Sequence, residues 1–374
     1  MPTTPRLSFR AERSEAEEPV FRVGRLDASS KATRFKEHSE STDEIDHLLA
    51  SVGLRHGRRK LISAGFDRQP KHPRQLPPSP RRSSKTRVEV LRSPLFAQIP
   101  WLLGGFSARS GGVSSVYNPG QRAGALNLGF TPADSRENVL ENRRRFYREV
   151  TGDPDFPAVT LRQVHSSLIR RVTASDAVPA EARLKGDGLL TSRPGLLLAI
   201  QTADCIPVLI ADRKNRAVAA FHAGWRGTLK RIVESGVGRM RLEFGSKPQD
   251  LVAAIGPGIG QCCYSVGEEV RSEFLSQFAY APELFRDVYD SDPVREKYPL
   301  LFLTARAPGH SNIGPSLHLD LAEANRRQLL DAGLSPEAIS VQAHCTSCRT
   351  GLYFSHRAEH GHTGRMISAI GIRP

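Results

Sequence analysis

The 374-residue sequence has no run of 18 or more apolar residues, so nothing in it reads as a membrane-spanning helix. Its first stretch, MPTTPRLSFRAERSEAEEP, lacks the apolar centre of a secretory signal. Cysteines number five, an odd count without the spacing of a disulfide framework, and a reducing cytoplasm is the expected setting. Apolar residues make up 39%, enough for a packed core but low for a chain folded from end to end.

What is present in excess is positive charge, +14 overall. Residues 1–92 hold 20 Lys and Arg against 12 Asp and Glu, so more than half of that excess lies in a quarter of the chain. The segment RHGRRKLISAGFDRQPKHPRQLPPSPRRSSKTR mixes Pro, Ser and cations with few apolar residues. Such a composition buries too little surface to offset chain entropy, which predicts a disordered basic extension over 1–92. A core over 93–374 is then only mildly basic, which argues against nucleic acid as its partner and leaves weak, non-specific contact to the extension.

From about Val88 the pattern changes. SRENVLENRRRFYREVTG (135–152) predicts a helix capped by Ser135 and stopped by Gly152. GLLLAIQTADCIPVLIAD predicts two buried strands broken at QTAD, and Ala217 to His222 a third. TLKRIVESGVGRMRLEFG and HLDLAEANRRQLLDAGLS predict helices, DLVAAIGPGIGQCCYSVGEEVRSEFLSQF a strand, loop and helix, and GRMISAIGI a last strand. Strands and helices mix without strict alternation, which predicts an α+β fold.

Three residues stand where a buried strand meets a polar break: His165 in LRQVHSSLI, Cys205 after TAD, and His222 before AGWRG. Two imidazoles and a thiol suit zinc, and three protein ligands leave a fourth position for water or substrate. Their spacings, 40 and 17 residues, match no short zinc pattern, and a buried inert thiol is the plainer reading of Cys205 alone. HCTSCRTGLYFSHRAEHGHTGR carries Cys345 and Cys348 as CxxC, with His344, His356, His360 and His362 nearby. As a zinc signature it is imperfect, because His360 and His362 are only two apart. CCY at 262–264 reads as core, and IGPGIG at 255–260 lacks the order of a phosphate-binding glycine loop.

Taken together, GFSARSGGVS, ALNLGF, ENVLENRRRF, QVHSS, TADCIPVLIAD, AAFHAGWRGT, AAIGPGIGQCCYSVGEEV, CTSCRTGLYFSHR and TGR strongly resemble the YfiH/YlmD family over about 96–372. The resemblance implies a single-domain four-layer α/β/β/α sandwich. It also implies one zinc per chain on His165, Cys205 and His222. The implied activity is purine nucleoside phosphorylase on adenosine, inosine, guanosine and S-methyl-5′-thioadenosine, with adenosine deaminase activity. Inorganic phosphate is then the co-substrate. The family is also described as a multicopper polyphenol oxidase, but one three-ligand constellation is too few donors for several coppers. A further family assignment, editing of peptidoglycan precursors, suits a metal-free hydrolase with Cys205 as nucleophile and His222 or His165 as base. A binding protein docked by its basic extension is the non-enzymatic alternative.

For the nucleoside chemistry, Asp204 is the carboxylate nearest Cys205 and Asp187 in GDG a second candidate for proton transfer, although neighbouring strand residues face opposite ways. Arg109 and Arg226 are the expected phosphate ligands, Trp225 a stacking surface for the base, and Asn127 and Gln163 partners for ribose or water. Where the family pattern has FFSYRR this chain has YFSHRA, so His356 stands for a Tyr, Ala358 for a basic residue, and Arg357 alone remains to touch substrate.

Overall fold

Long apolar runs with β-branched residues form strands buried on both faces, and here they build two central sheets. The computed structural model describes residues 87–117, 124–177, 184–288 and 315–374. The extension predicted for 1–92 lies outside these up to residue 86.

The first sheet runs in the order β1 (Val90–Leu91), β2 (Leu102–Ser107), β15 (Met366–Ile372), β8 (Leu196–Thr202), β5 (Ala158–Thr160). The second runs β14 (Ile339–Val341), β11 (Leu251–Ile255), β9 (Ile206–Asp212), β10 (Ala217–Ala223), β7 (Gly188–Thr191), β6 (Ile169–Arg171). Two small pairs, β3 (Ser110–Gly112) with β4 (Gly124–Ala125) and β12 (Phe285–Val288) with β13 (Ser316–Leu319), flank them. Pairing is antiparallel except for β5 with β8, β6 with β7 and β11 with β14. β1 lies within the segment assigned to the extension, yet Val90 and Leu91 pair with Ser107 and Phe106, so the folded part begins before residue 93.

Side-chain alternation along the strands makes the layers. Leu198, Ile200 and Ile370 of the first sheet meet Leu209, Ala211, Val218 and Ala220 of the second in a core between them. The opposite face of the first sheet, with Leu197, Ala199 and Ile367, packs on Phe146 and Val150 of α2 (Arg136–Thr151). The outer face of the second, with Val208, Ile210, Ala219 and Phe221, packs on Ile232, Val237 and Met240 of α4 (Ile232–Phe244) and on Leu321, Ala324 and Leu329 of α7 (Leu321–Asp331). This is the expected four-layer α/β/β/α sandwich. α5 (Glu268–Gln277) and the single turns α1 (Pro94–Ala97) and α6 (Ala281–Leu284) complete the helices used below.

α2 has the predicted ends: Ser135 Oγ accepts from Asn138 N at 3.2 Å, and Gly152 closes it at φ 91°. The helix predicted across TLKRIVESGVGRMRLEFG is instead two, α3 (Trp225–Leu229) and α4, separated by Arg231 at φ 54°. The Thr228 carbonyl, which a continuous helix would use, accepts from Gln328 Nε2 at 2.6 Å and from Arg231 N at 2.9 Å. A contact from α7, 100 residues away, meets the chain at this break, where the Arg231 backbone turns.

Candidate active site and metal centre

β8 and β9 are joined by a bend at Ala203–Cys205, so Asp204 and Cys205 are not consecutive strand residues. The rule that neighbours face opposite ways does not apply, and both line one pocket of about 560 Å³. Asp204 takes a left-handed backbone, φ 93°, which is costly for a side-chain-bearing residue and holds where the surroundings enforce it. Here its main-chain oxygen accepts from Ile259 N at 2.8 Å, Oδ1 from Thr346 Oγ1 at 2.6 Å, and Oδ2 from Arg357 N at 2.7 Å.

His222 stands on β10, opposite Pro207 of β9. His165 lies in the turn after Leu161, also left-handed at φ 56°. One donor atom from each of His165, Cys205 and His222 lies within 4.8 Å of the others. Cys205 Sγ is 3.9 Å from His165 Nε2, and the two imidazole centroids are 5.0 Å apart. A tetrahedral zinc with its usual bond lengths separates sulfur from nitrogen by about 3.6 Å, so the donor set fits such an ion. Gly224 makes room for it: a Cβ there would stand 3.0 Å from Cys205 Sγ and 3.1 Å from His165 Cδ2.

Behind the ligands sits Asp187, fully buried. Its Oδ1 is 2.9 Å from His222 Nδ1 and accepts from His165 N at 3.0 Å. Its Oδ2 accepts from Ser166 N at 2.6 Å and Ser166 Oγ at 2.7 Å. The bond to Nδ1 leaves His222 Nε2 as the free donor and orients the ring, the usual arrangement behind a metal-bound imidazole. Fully buried and absent from the pocket lining, Asp187 is not placed for the proton-transfer role considered from sequence. It holds the His222 ring and the His165 backbone at once.

The electrostatics agree with a ligand set. Burial pushes the Asp187 carboxyl up, but hydrogen bonds from His222 and Ser166 prevail and hold it at about 2. Burial likewise raises the Cys205 thiol, and the charge of His222 with the hydrogen bond of His165 outweighs it, bringing the thiol down to about 6. Burial lowers His222, while the Cys205 thiolate and Asp187 lift it to about 9. The site favours a thiolate at neutral pH, the form that binds metal or attacks carbon.

Of the residues expected to meet substrate, Gln163, Trp225, Arg226 and Arg357 line the pocket. Gln163 also spans to β8, donating to Gln201 O and accepting from Gln201 N, each at 2.7 Å. The Arg226 guanidinium stacks 4.3 Å from the Trp225 ring. Arg357 donates to Ser265 Oγ and O at 2.7 and 3.0 Å. Arg109 is a different case. It is buried away from the pocket, paired with Glu359 at 2.7 Å and donating to the Thr350 and Tyr117 carbonyls, so it ties loops together rather than binding phosphate. Asn127 is also buried outside the pocket; it bonds Asp134 and accepts from Arg365 N at 2.9 Å, acting on the site only through the Arg365 backbone. Arg365, Tyr264 and His356 line the pocket and were not singled out for it from sequence. Burial and the Cys205 charge push the Tyr264 hydroxyl up to about 12.

CCY at 262–264 is not core: Cys262 is exposed, Cys263 half-buried, and both join Cys345 and Cys348 in a second group of donors within 4.8 Å of one another. None of the four histidines near the CxxC belongs to it.

Residues 104–373 match the family model described as multi-copper polyphenol oxidoreductase laccase. The purine nucleoside phosphorylase YlmD of Geobacillus stearothermophilus is 37% identical over 259 residues, 67% of this chain and 84% of that protein. The adenosine deaminase RL5, of an unknown prokaryotic organism, is 32% identical over 250 residues, 66% of this chain and 86% of that protein. The crystal structure of a hypothetical protein YfiH from Bacillus licheniformis aligns with a TM-score of 0.60 at 32% identity, covering 73% of this chain and 93% of that one. Sequence, sandwich and likeness to solved relatives agree over the whole folded part, and the chain belongs to the YfiH/YlmD family, the laccase-domain proteins.

Proposed function

We propose that this chain is a zinc-dependent purine nucleoside phosphorylase that also deaminates adenosine, acting in the cytoplasm. The observation that carries the reading is the convergence of His165, Cys205 and His222 at a pocket rimmed by Arg226, Arg357 and Arg365. The names of the relatives, phosphorylase and deaminase, support it. His165, Cys205 and His222 would hold one zinc, which would supply Lewis acidity to the reaction. Arg226 and Arg357 offer guanidinium forks that match inorganic phosphate, and Arg365 adds a third cation. Trp225 presents its ring to the purine. Asp204, the carboxylate that lines the pocket, holds or passes the proton that deamination requires. Asp187 keeps the ligands in place. Adenosine, inosine, guanosine and S-methyl-5′-thioadenosine are the proposed substrates. The donors do not favour copper oxidase chemistry, because among the described residues only this one group contains histidine. Incubation with adenosine, with and without phosphate, tests the reading by chromatography. Adenine and ribose 1-phosphate formed only with phosphate are expected, with inosine in both conditions; no nucleoside turnover with zinc bound would overturn it.

A second reading has its own support. Cys205, His222 and Asp187 line up as nucleophile, base and orienting carboxylate, with the thiol held at about 6. That arrangement suits a metal-free cysteine hydrolase such as peptidoglycan-precursor editing requires. Chelated protein that stays active and loses activity on alkylation of Cys205 would decide for it.

A further inference from the structure

Outside the pocket's own ligands, the densest collection of reactive side chains is the four-cysteine group. Cys262 and Cys263 sit in the turn after β11, and Cys345 and Cys348 in the loop after β14. Cys348 Sγ is 3.5 Å from Cys262 Sγ and 3.3 Å from Cys263 Sγ, and all four sulfurs lie within 4.8 Å of one another. Sulfurs around a tetrahedral zinc stand about 3.8 Å apart, the edge set by a Zn–S length of about 2.3 Å. Thiols packed this closely enclose one ion and leave no room between them for a cluster of several. Tetrahedral sulfur donors select zinc among the common divalent metals.

The backbone is arranged to bring the two halves together. Gly258 bridges Cys345, and Thr346 N donates to Gly258 O at 2.9 Å. Gly260 N donates to Cys345 Sγ at 3.2 Å, a bond that favours the thiolate. A side chain at residue 260 would crowd this approach: a Cβ would lie 3.1 Å from Cys345 Cβ and 3.2 Å from Cys262 Sγ. A turn rather than a strand at 261–263 lets the adjacent Cys262 and Cys263 face the same point.

We propose that Cys262, Cys263, Cys345 and Cys348 form a second metal site, a closed tetrathiolate that holds one structural zinc ion. With all four positions filled by protein, the ion has no place for substrate and does no chemistry. It fastens two loops that frame the pocket. The first carries Ile259 and Tyr264; the second carries Thr346, which holds Asp204, and then His356 and Arg357. The ion sets the spacing of those pocket walls from outside.

Full-length protein purified under reducing, oxygen-free conditions tests this by metal content. About two zinc ions per chain are expected, falling to about one in Cys348→Ser and to about one in Cys205→Ser, from different sites. The wild-type count needs no variant to fold. Cobalt returned to chelated protein gives the second readout. Intense thiolate-to-cobalt charge-transfer absorption is expected in wild type and, slightly reduced, in Cys205→Ser, and falls in Cys262→Ser and Cys348→Ser to the weak band of the single Cys205 thiolate. A single zinc unaffected by Cys348→Ser, or a disulfide among the four cysteines in protein kept reduced, would overturn the proposal.

Discussion

The molecule carries two groups of soft donors, built on opposite principles. His165, Cys205 and His222 come from strand ends and a turn, face a pocket, and are backed by a buried carboxylate. The four cysteines come from two loops, lie partly in solvent, and are held by each other and by the backbone amides of Gly260 and Cys348. Three mixed ligands leave a coordination position for a reacting group; four thiolates leave none. On the proposed readings, chemistry belongs to the first and mechanical support to the second. The contrast also shows why the carboxylate sits where it does: an open site needs its imidazoles oriented, whereas a closed one is oriented by its own ligands.

The largest effect should separate the two groups. Cys205→Ser is expected to lower nucleoside turnover by about 1,000-fold or more, the several kcal/mol that a Lewis acid provides. Cys348→Ser should lower it by less than about 10-fold, since it loosens pocket walls without touching the reacting atoms. Steady-state kinetics on both variants checks this, and equal losses would break the comparison.

Asp187→Asn comes next. It keeps the shape but loses the charge that orients His222, and metal affinity at the mixed site should fall about 10- to 100-fold. Competition against a zinc chelator measures it, and the all-cysteine site should be unmoved.

Arg226→Ala should raise the KM for phosphate about 10-fold, the value of one charge-assisted hydrogen bond. Arg109→Gln breaks a buried ion pair with Glu359 and should cost about 3 kcal/mol of stability in denaturant titrations. Its KM for phosphate should stay within about two-fold, because no substrate reaches it.

A separate effect is on stability in acid. The Asp187 pKa is depressed to about 2 in the folded chain. The stability it contributes is present above its unfolded pKa of about 3.9 and lost as pH falls through the folded value, about 2 kcal/mol in all. Chelated protein should lose that much more stability between pH 5 and pH 2 than chelated Asp187→Asn does. Cys205 and His222 add no slope near neutrality, because the proton that one lacks in the fold the other retains.

How far the sequence could be read follows from how local each feature is. The strands β8, β9 and β10 and the helix α2 were legible because apolar runs and caps are local signals. His165, Cys205 and His222 were singled out because each stands where an apolar run meets a polar break, and the fold brings the three together. The role of Asp187 was not legible, since it depends on β7 pairing with β10, which brings Gly188 opposite Phe221 and so Asp187 beside His222. The break at Arg231 was hidden because no Gly or Pro marks it, and the side chain that meets it, Gln328, lies on another helix. The four-cysteine group was half legible: the CxxC at Cys345 and Cys348 drew attention with histidines as its expected partners, while its actual partners, Cys262 and Cys263, more than 80 residues away, read as core. Arg109 and Asn127 show the converse. They have the right chemistry for substrate, and packing turned both away from it.

The most direct test of the central claim is the rate of adenine release from adenosine and phosphate as zinc is returned stepwise to fully chelated protein. The account predicts negligible turnover without metal and recovery that saturates as the mixed site fills, with Cys205 then protected from iodoacetamide. Full activity in the chelated protein, abolished by alkylating Cys205, would contradict it and make the thiol the nucleophile.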